Sequence, residues 1–430
     1  MQNGTIRVIV LGADHHNTLA AIRAFGKDNY DCALILHGVD STFKRIKVIK
    51  SKYIDRRNVV FTDNSEETIV NAIMKLRSEE KSILFPTSDL SAITIDKYQN
   101  TLKKYFLFPS FCDSEVTIVK LMDKWEQYQL SKELEIPTPK TKLINTDNYI
   151  VDSECAFPCI VKPRISAFGS KADISICYNS IELQTAIRKY MEEGYCSAII
   201  QEYIEKQYET DTFGFLLPEG NFLDKPQGGM IYKLREELEN ATTFGVFILD
   251  ISEIDLLYNE NIACKDKRVK MSPNEYDQLR TVNQKLIQYL SKHRYNGFFD
   301  IEYIVAQGIV YLIEINFRQS GNAYAQINHD HSVQTLWAKG LIEKATKPIY
   351  HASIGSYLMM ETADLPNIKN KTISISEWIR DIRNTTYFAV FSKEDLLASL
   401  RILWQCMNGI LTRNAKEVIK HVFCKRENNK

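Results

Sequence analysis

At 430 residues, with 54 basic and 54 acidic side chains, the chain has a formal net charge of zero, so overall charge gives no reason to expect nucleic acid or an anionic membrane as partner. Its length fits two to four domains, and 44% hydrophobic with 25% charged residues is the balance of an ordinary globular protein. Nine scattered cysteines without a CxxC argue against structural zinc and a disulfide framework and for a reducing, cytoplasmic setting, while no apolar run approaches the ~18 residues of a membrane span and MQNGTIRVIVLG reads as a first strand, not a signal segment.

Residues 1–110 alternate strand and helix signals. Arg7–Leu11 and Cys32–Leu36 are short apolar strands, Val59–Thr62 is a weaker one, and Ser82–Phe85 ends in the polar loop Pro86–Asp89. Helices are expected over Thr18–Phe25 and Ser65–Arg77. Such alternation predicts a parallel α/β sheet. Ligands of these sheets sit at the carboxyl ends of the strands, which makes Gly12–Asn17 and Pro86–Asp89 candidate pocket loops; both would also serve as ordinary turns. His15 and His16 sit in the first loop, where a polar turn explains them better than a catalytic base does. No GxGxxG follows the first strand, so a dinucleotide fingerprint is missing. A helix over Ser114–Leu134 carries Lys124, and Ile136-Pro137-Thr138-Pro139 forces an extended exit from it.

Residues 150–205 read as a small α/β module. Pro158–Pro163 is a strand with Lys162 inside an apolar run, and a lysine there must meet an anion or reach back to water. Ser166–Lys171 (SAFGSK) is a small-residue loop able to lay backbone N–H groups against phosphates, although it does not match a P-loop. An amphipathic helix over Ile181–Met191 and a strand over Ala198–Gln201 follow. Residues 206–330 are richer in strands, with one long helix over Asn274–His293 whose Leu279, Val282, Leu286, Ile287 and Leu290 share a face. Residues 331–430 are mainly helical in pattern and carry no chemistry-bearing motif.

The polar residues concentrate in Phe298–Asn322, two strands around a turn at Gln307-Gly308. Side chains two apart share a strand face, so Asp300 goes with Glu302, and Glu314 with Asn316 and Arg318. Pairing about the turn brings Glu302 to Glu314. Hard oxygen ligands of this kind suit Mg²⁺ that also holds phosphates; a solvated polar face is the plain alternative.

Taken in order, Lys124, Lys162, the small-residue loop, the Gln201–Ile204 segment, Glu209 and the hairpin resemble the ATP-grasp superfamily of carboxylate–amine ligases over residues 1–330. The spacing Glu302-x11-Glu314-x-Asn316-x-Arg318 is similar to the superfamily's metal-binding pattern, biotin carboxylase included. The resemblance implies an α/β and α+β multi-domain chain. A parallel pre-ATP-grasp domain would span 1–112 and the two-module ATP-grasp domain 113–330. Its lid would cover about 150–205 and its central module about 206–330, before a helical region at 331–430. Carried over by position, it implies that Lys124 and Lys162 contact ATP phosphates. Ser166, Gly169, Ser170 and Lys171 would belong to the lid loop. Gln201, Glu202, Tyr203 and Ile204 would read adenine, and Glu209 would hold the ribose. Glu302, Glu314 and Asn316 would hold one or two Mg²⁺, with Mn²⁺ as a substitute and Asp300 as a rival to Glu302. Arg318 would bind the acyl substrate, and Arg235 the transferred phosphate.

GADHHNTLAAIRAFG and FPTSD further resemble D-aspartate ligases and related enzymes of bacterial envelope clusters. That implies a small-molecule carboxylate, an amino acid or sugar acid, joined to an amine on a cell-wall or polysaccharide precursor. Relatives that dimerise add a homodimer to the expectations. The alternatives are a nucleotide-binding regulatory protein with a degenerate grasp fold, a biotin-carboxylase-like carboxylase, and a dehydrogenase suggested by the first domain alone.

Overall fold

The computed structural model describes residues 6–39, 46–112, 115–149, 155–165, 174–217, 227–233, 244–248, 271–321, 332–342, 356–369 and 371–404. The chain opens with strands β1 (Arg7–Gly12), β2 (Asp31–His37), β3 (Val59–Thr62), β4 (Ser82–Pro86) and β5 (Phe106–Leu107), parallel and ordered β3-β2-β1-β4-β5. Helices α1 (His16–Lys27), α2 (Glu66–Lys75) and α3 (Asp89–Lys97) cover it. The near-continuous apolar runs follow from burial on both faces. Val8 and Val10 point into a core shared with Leu19 and Ile22 of α1. Ile9 and Leu11 point into another with Ile69, Ile73 and Leu90. The chain runs outward from β1 in one direction and restarts at β4 in the other, so the crevice between β1 and β4 is the switch point of the sheet. Gly12 closes this corner: a Cβ there would lie 2.0 Å from Thr87 Oγ1 and 2.4 Å from Thr18 Oγ1, which excludes any side chain.

The expected helix over Ser114–Leu134 is two helices, α4 (Ile118–Leu121) and α5 (Lys124–Glu133). Asp123 divides them. Its backbone is extended and its carboxylate accepts from Trp125 N, so it caps α5 and ends the helical path before it.

The second sheet, antiparallel, is ordered β7-β10-β8-β9 from β7 (Thr141–Asn145), β8 (Cys159–Pro163), β9 (Ser175–Cys177) and β10 (Ser197–Glu202). It starts at Thr141, ahead of residue 150. Helix α6 (Ser180–Glu192) covers one face, with Leu183, Ile187 and Tyr190 against Val161, Ala198 and Ile200.

The third sheet is the largest. Its main path runs β15-β14-β11-β12-β13-β16-β17, and a short β6 (Ser110–Phe111) pairs with the start of β14. The strands are β11 (Tyr208–Leu216), β12 (Gln227–Lys233), β13 (Phe244–Ile248), β14 (Tyr295–Ala306), β15 (Ile309–Asn316), β16 (Ser356–Met359) and β17 (Tyr387–Phe388). The β14–β15 turn is the expected Gln307-Gly308, with φ of 51° and 75°. Positive φ at both positions suits the twist of a two-residue hairpin. Helix α7 (Pro273–Lys292) begins with a capping box between Ser272 and Glu275. It lays Leu279, Val282, Leu286 and Leu290 against Phe299, Ile301, Tyr303 and Val305.

Beyond β15 come α8 (Val333–Ile342), α9 (Glu361–Lys369) and α10 (Ile375–Asn384). Strands β16 and β17 return from this region to the third sheet. Arg23 of α1 clamps the region to the first sheet: its Nε donates to Asp395 at 2.8 Å and its Nη1 to the Val390 carbonyl at 2.8 Å, all buried.

Candidate active site

The residues of β14 that point away from α7 begin as core. Phe298, with Phe213 and Phe215 of β11, packs on Phe85 of the first sheet and Trp337 of α8. Two residues further along β14 the same face turns polar. Asp211, Glu302 and Glu314 stand opposite one another across three adjacent strands. Asp300 and Asn316 form the next opposite pair, and the Asn316 amide donates to Glu302 Oε1 at 3.2 Å. A register shift after Glu302 lets β15 bend away.

Two lysines arrive from other elements. Gln127 of α5 is buried and bonds both ways to the backbone of Ile315, donating to its carbonyl at 2.7 Å and accepting from its N–H at 3.0 Å. That bridge fixes α5 on β15. One turn earlier, Lys124 Nζ donates to Glu314 Oε1 at 2.7 Å. Lys162 comes from β8 of the second sheet. Arg164, two residues on, pairs with Asp123 and accepts from Lys124 N at 2.9 Å, so the strand and helix that carry the lysines are joined.

Lys162 is 5% exposed. Burial pushes its pKa down to about 8; Glu314 and Glu302 oppose this, and Lys124 adds to it. Glu314 shows the reverse balance. Burial alone would raise it, yet Lys124 and Lys162 outweigh burial and hold it below the usual carboxylate range. Two buried cations thus face carboxylates on neighbouring strands, and each sign offsets the burial cost of the other.

Arg318 sits at the other end. Its Nε donates to Asp89 at 2.7 Å and its Nη1 to Asp300 at 3.2 Å. Burial works against its charge, but Asp89, Asp300 and Glu302 hold the guanidinium more firmly protonated than a free arginine. Asp89 opens α3 in the Pro86–Asp89 loop, and Gln319 Nε2 donates to the Asn17 carbonyl at 2.9 Å. Thus the end of β15 lies against the switch point of the first sheet.

Gln201 lies on the same face of the second sheet as Lys162, because Ile199 pairs with Lys162 and Gln201 is two further along. Its amide is used within the sheet, donating to Thr141 Oγ1 at 2.9 Å. Glu202 accepts from the Lys140 N–H at 3.2 Å. Tyr203 and Ile204 are half-buried in the link to β11. Glu209 pairs with Lys206. Ser166, Gly169, Ser170, Lys171 and Arg235 lie outside the described residues.

Sequence reasoning missed three participants. Asp211 gives no signal beyond period-two placement in a mixed strand. Gln127 looks like any helix-surface amide. Asp89 was part of a marked loop, but its pairing with Arg318 spans 229 residues.

Whether a divalent metal suits the site follows from the donors. Among the described residues, no three His, Cys, Asp or Glu side chains close on one point to hold a metal. Glu302, Glu314 and Asn316 nevertheless supply two carboxylates and an amide on adjacent strands. That fits Mg²⁺ held through one or two carboxylates and completed by phosphate oxygens.

No family model matches the chain, and no curated protein matches it. Solved structures do match. Carboxyaminoimidazole ribonucleotide synthase from Aspergillus clavatus, complexed with ATP, aligns at a TM-score of 0.55 and 10% identity, over 82% of this chain and 80% of that one. N5-carboxyaminoimidazole synthetase from Staphylococcus aureus aligns at 0.52 and 12%, over 86% and 88%. N5-carboxyaminoimidazole ribonucleotide synthetase from Thermus thermophilus aligns at 0.53 and 9%, over 81% of each chain. The likeness establishes the fold: a parallel α/β sheet followed by the two-module ATP-grasp arrangement expected from the sequence.

Proposed function

We propose that this chain is an ATP-dependent, ADP-forming ligase that activates a carboxylate as an acyl phosphate and joins it to an amine. One observation carries the reading: Lys124 and Lys162 converge on Glu314 beside Glu302, with Arg318 anchored between this row and the switch-point loop. Phosphoryl transfer asks a protein for position and charge neutralisation more than for covalent chemistry. Lys124 and Lys162 are proposed to hold ATP phosphates as point charges. The Gln201–Ile204 link holds adenine, and Glu209 the ribose. Bound Mg²⁺ would supply charge neutralisation between phosphates, held by Glu302, Glu314 and Asn316. Arg318 is pinned at Nε and Nη1, and presents its remaining edge to the substrate carboxylate.

The acid's oxygen attacks the γ-phosphorus, the bond to the β-phosphate bridging oxygen breaks, and ADP leaves. The amine nitrogen then attacks the acyl carbon and phosphate departs, leaving an amide. An amino acid or sugar acid as the acyl donor, and an amine on an envelope or polysaccharide precursor as acceptor, are supported by the likeness of GADHHNTLAAIRAFG and FPTSD to such ligases. A coupled ADP assay over acid–amine pairs tests the reading. ADP release requiring both partners is expected. ATP binding without release by any pair would favour a nucleotide-binding regulator instead.

A further inference from the structure

The corner between β1 and α1 holds a group that the nucleotide cleft does not use. Asn17 is 7% exposed and, among the described residues, its Oδ1 has no hydrogen-bond partner, an arrangement that is costly for a buried acceptor. Its backbone is fully engaged, the N–H with His15 Nδ1 at 3.4 Å and the carbonyl with Gln319 Nε2 at 2.9 Å. The side-chain oxygen therefore stands as an acceptor awaiting a donor. A Cβ built on Gly321 would lie 3.6 Å from Asn17 Oδ1 and 3.9 Å from His16 Nε2. Both atoms border the space over the turn that follows Arg318.

His16 also lines a cavity of about 320 Å³, together with Asp14, His15, Lys47, Met360 and Thr362. That volume suits a ligand of amino-acid or aminosugar size. Asp14 is its one carboxylate among these six, and it is committed to the backbone N–H groups of Lys47 and Val48 at 2.9 to 3.1 Å. Lys47 on the cavity wall and the amino end of α1 bring positive charge to this corner, with Asp14 turned to the backbone and Arg318, paired with Asp89 and Asp300, beyond His16. The same surroundings hold His16 neutral. Burial pushes its pKa well down, and His15, Lys47 and Arg318 push the same way.

We propose that this corner is the amine subsite, and that the amine it takes carries an anionic group. The inference rests on the ligase reading given above. The amine N–H donates to Asn17 Oδ1 over Gly321, and the anion enters the cavity beside Lys47. Burial first, and Lys47 after it, disfavour an ammonium here as they disfavour a charged His16, so the amine is held neutral with its lone pair available. That pair forms the C–N bond to the acyl carbon. The acyl C–O bond breaks, and phosphate leaves with its electrons and one N–H proton as HPO₄²⁻.

Hydroxylamine serves as the first probe, since it is small, uncharged and needs no anion site. Wild-type enzyme with ATP and a panel of acids is expected to give a hydroxamate. Amines paired by charge then probe the subsite: amino acids against their amides, and glucosamine 6-phosphate against glucosamine. The anionic member of at least one pair should be used with a kcat/KM at least ~10-fold higher, the worth of one charge-assisted contact. Lys47→Ala should erase that preference, and Asn17→Ser should raise the amine KM by ~10-fold. Both variants should keep the KM for ATP, and Lys47→Ala should keep hydroxamate formation, since hydroxylamine carries no anion for Lys47 to meet. Equal use of both members of every pair, or unchanged amine KM in both variants, overturns the subsite and leaves the ligase reading standing. A wild-type enzyme that makes no hydroxamate with any acid removes the ligase reading and the subsite with it.

Discussion

Two stretches of one sheet face, a few ångströms apart, do opposite work. Around Phe213, Phe215 and Phe298 the face is dry and aromatic, with Phe298 at ring-centroid distances of 5.0 Å from Phe85 and 5.3 Å from Trp337. At Asp211, Asp300, Glu302 and Asn316 it carries acids and amides, Lys124 and Lys162 converge there from other elements, and Arg318 closes the row from the end of β15. The strands do not change; what faces them does. The aromatic half is covered by the first sheet and α8, whereas the polar half is met by cationic side chains. A charged array of this kind is held rigid by the apolar packing alongside it.

Substitution in the two halves should separate activity from stability. Glu314→Gln is expected to lower ADP release by ~10³-fold, as loss of charge organisation at a phosphoryl-transfer site does. The folded fraction at assay temperature should stay near wild type, and wild-type rates in this variant would refute the metal and phosphate assignment. Phe298→Ala, two residues before Asp300, should instead cost ~3–5 kcal/mol of stability, read from the urea midpoint. Its turnover per folded molecule should remain well above that of Glu314→Gln.

Lys162 makes the polar half respond to pH. Its folded pKa, about 8, lies below the unfolded value of ~10.4. Between those values the unfolded chain binds more protons, so the nucleotide-free protein should gain stability as pH rises through that window. The gain is up to ~3 kcal/mol from this group. Lys162→Met should flatten the difference between melts at pH 7.5 and pH 10, and should abolish ADP release at both. An unchanged slope in the variant would show that Lys162 is not the buried cation responsible.

The smallest expected effect belongs to Arg318→Ala. It should raise the KM for the acid by ~10- to 100-fold while shifting that for ATP far less. The reverse ordering would move Arg318 to the nucleotide.

How far these features could be read in advance depended on their reach along the chain. The hairpin was legible because period-two alternation and the Gln307-Gly308 turn are local, and together they predict the Glu302–Glu314 pairing. Lys162 stood out as a charge within an apolar strand. The break at Asp123 was harder: an aspartate inside a helical pattern signals a cap only when the preceding helix has somewhere to stop. Asp89 could not be placed, since its neighbour is set by how the first and third sheets dock, and Asp211 could not, since its partner strand β14 lies far along the chain. Asn17 fell within a candidate pocket loop that served equally as an ordinary turn, and its burial beside Gly321 is what singles it out. The lid loop at Ser166–Lys171 and Arg235 remain proposals from resemblance alone.

Isotope transfer tests the central claim most directly. With the acid identified by the ADP screen, its carboxylate would be labelled with ¹⁸O and the enzyme turned over with ATP and hydroxylamine. Attack by the carboxylate on the γ-phosphorus predicts one ¹⁸O carried into each released phosphate. ADP and phosphate formed at full rate with no label in the phosphate would mean that water, not the acid, receives the phosphoryl group, and would contradict the account.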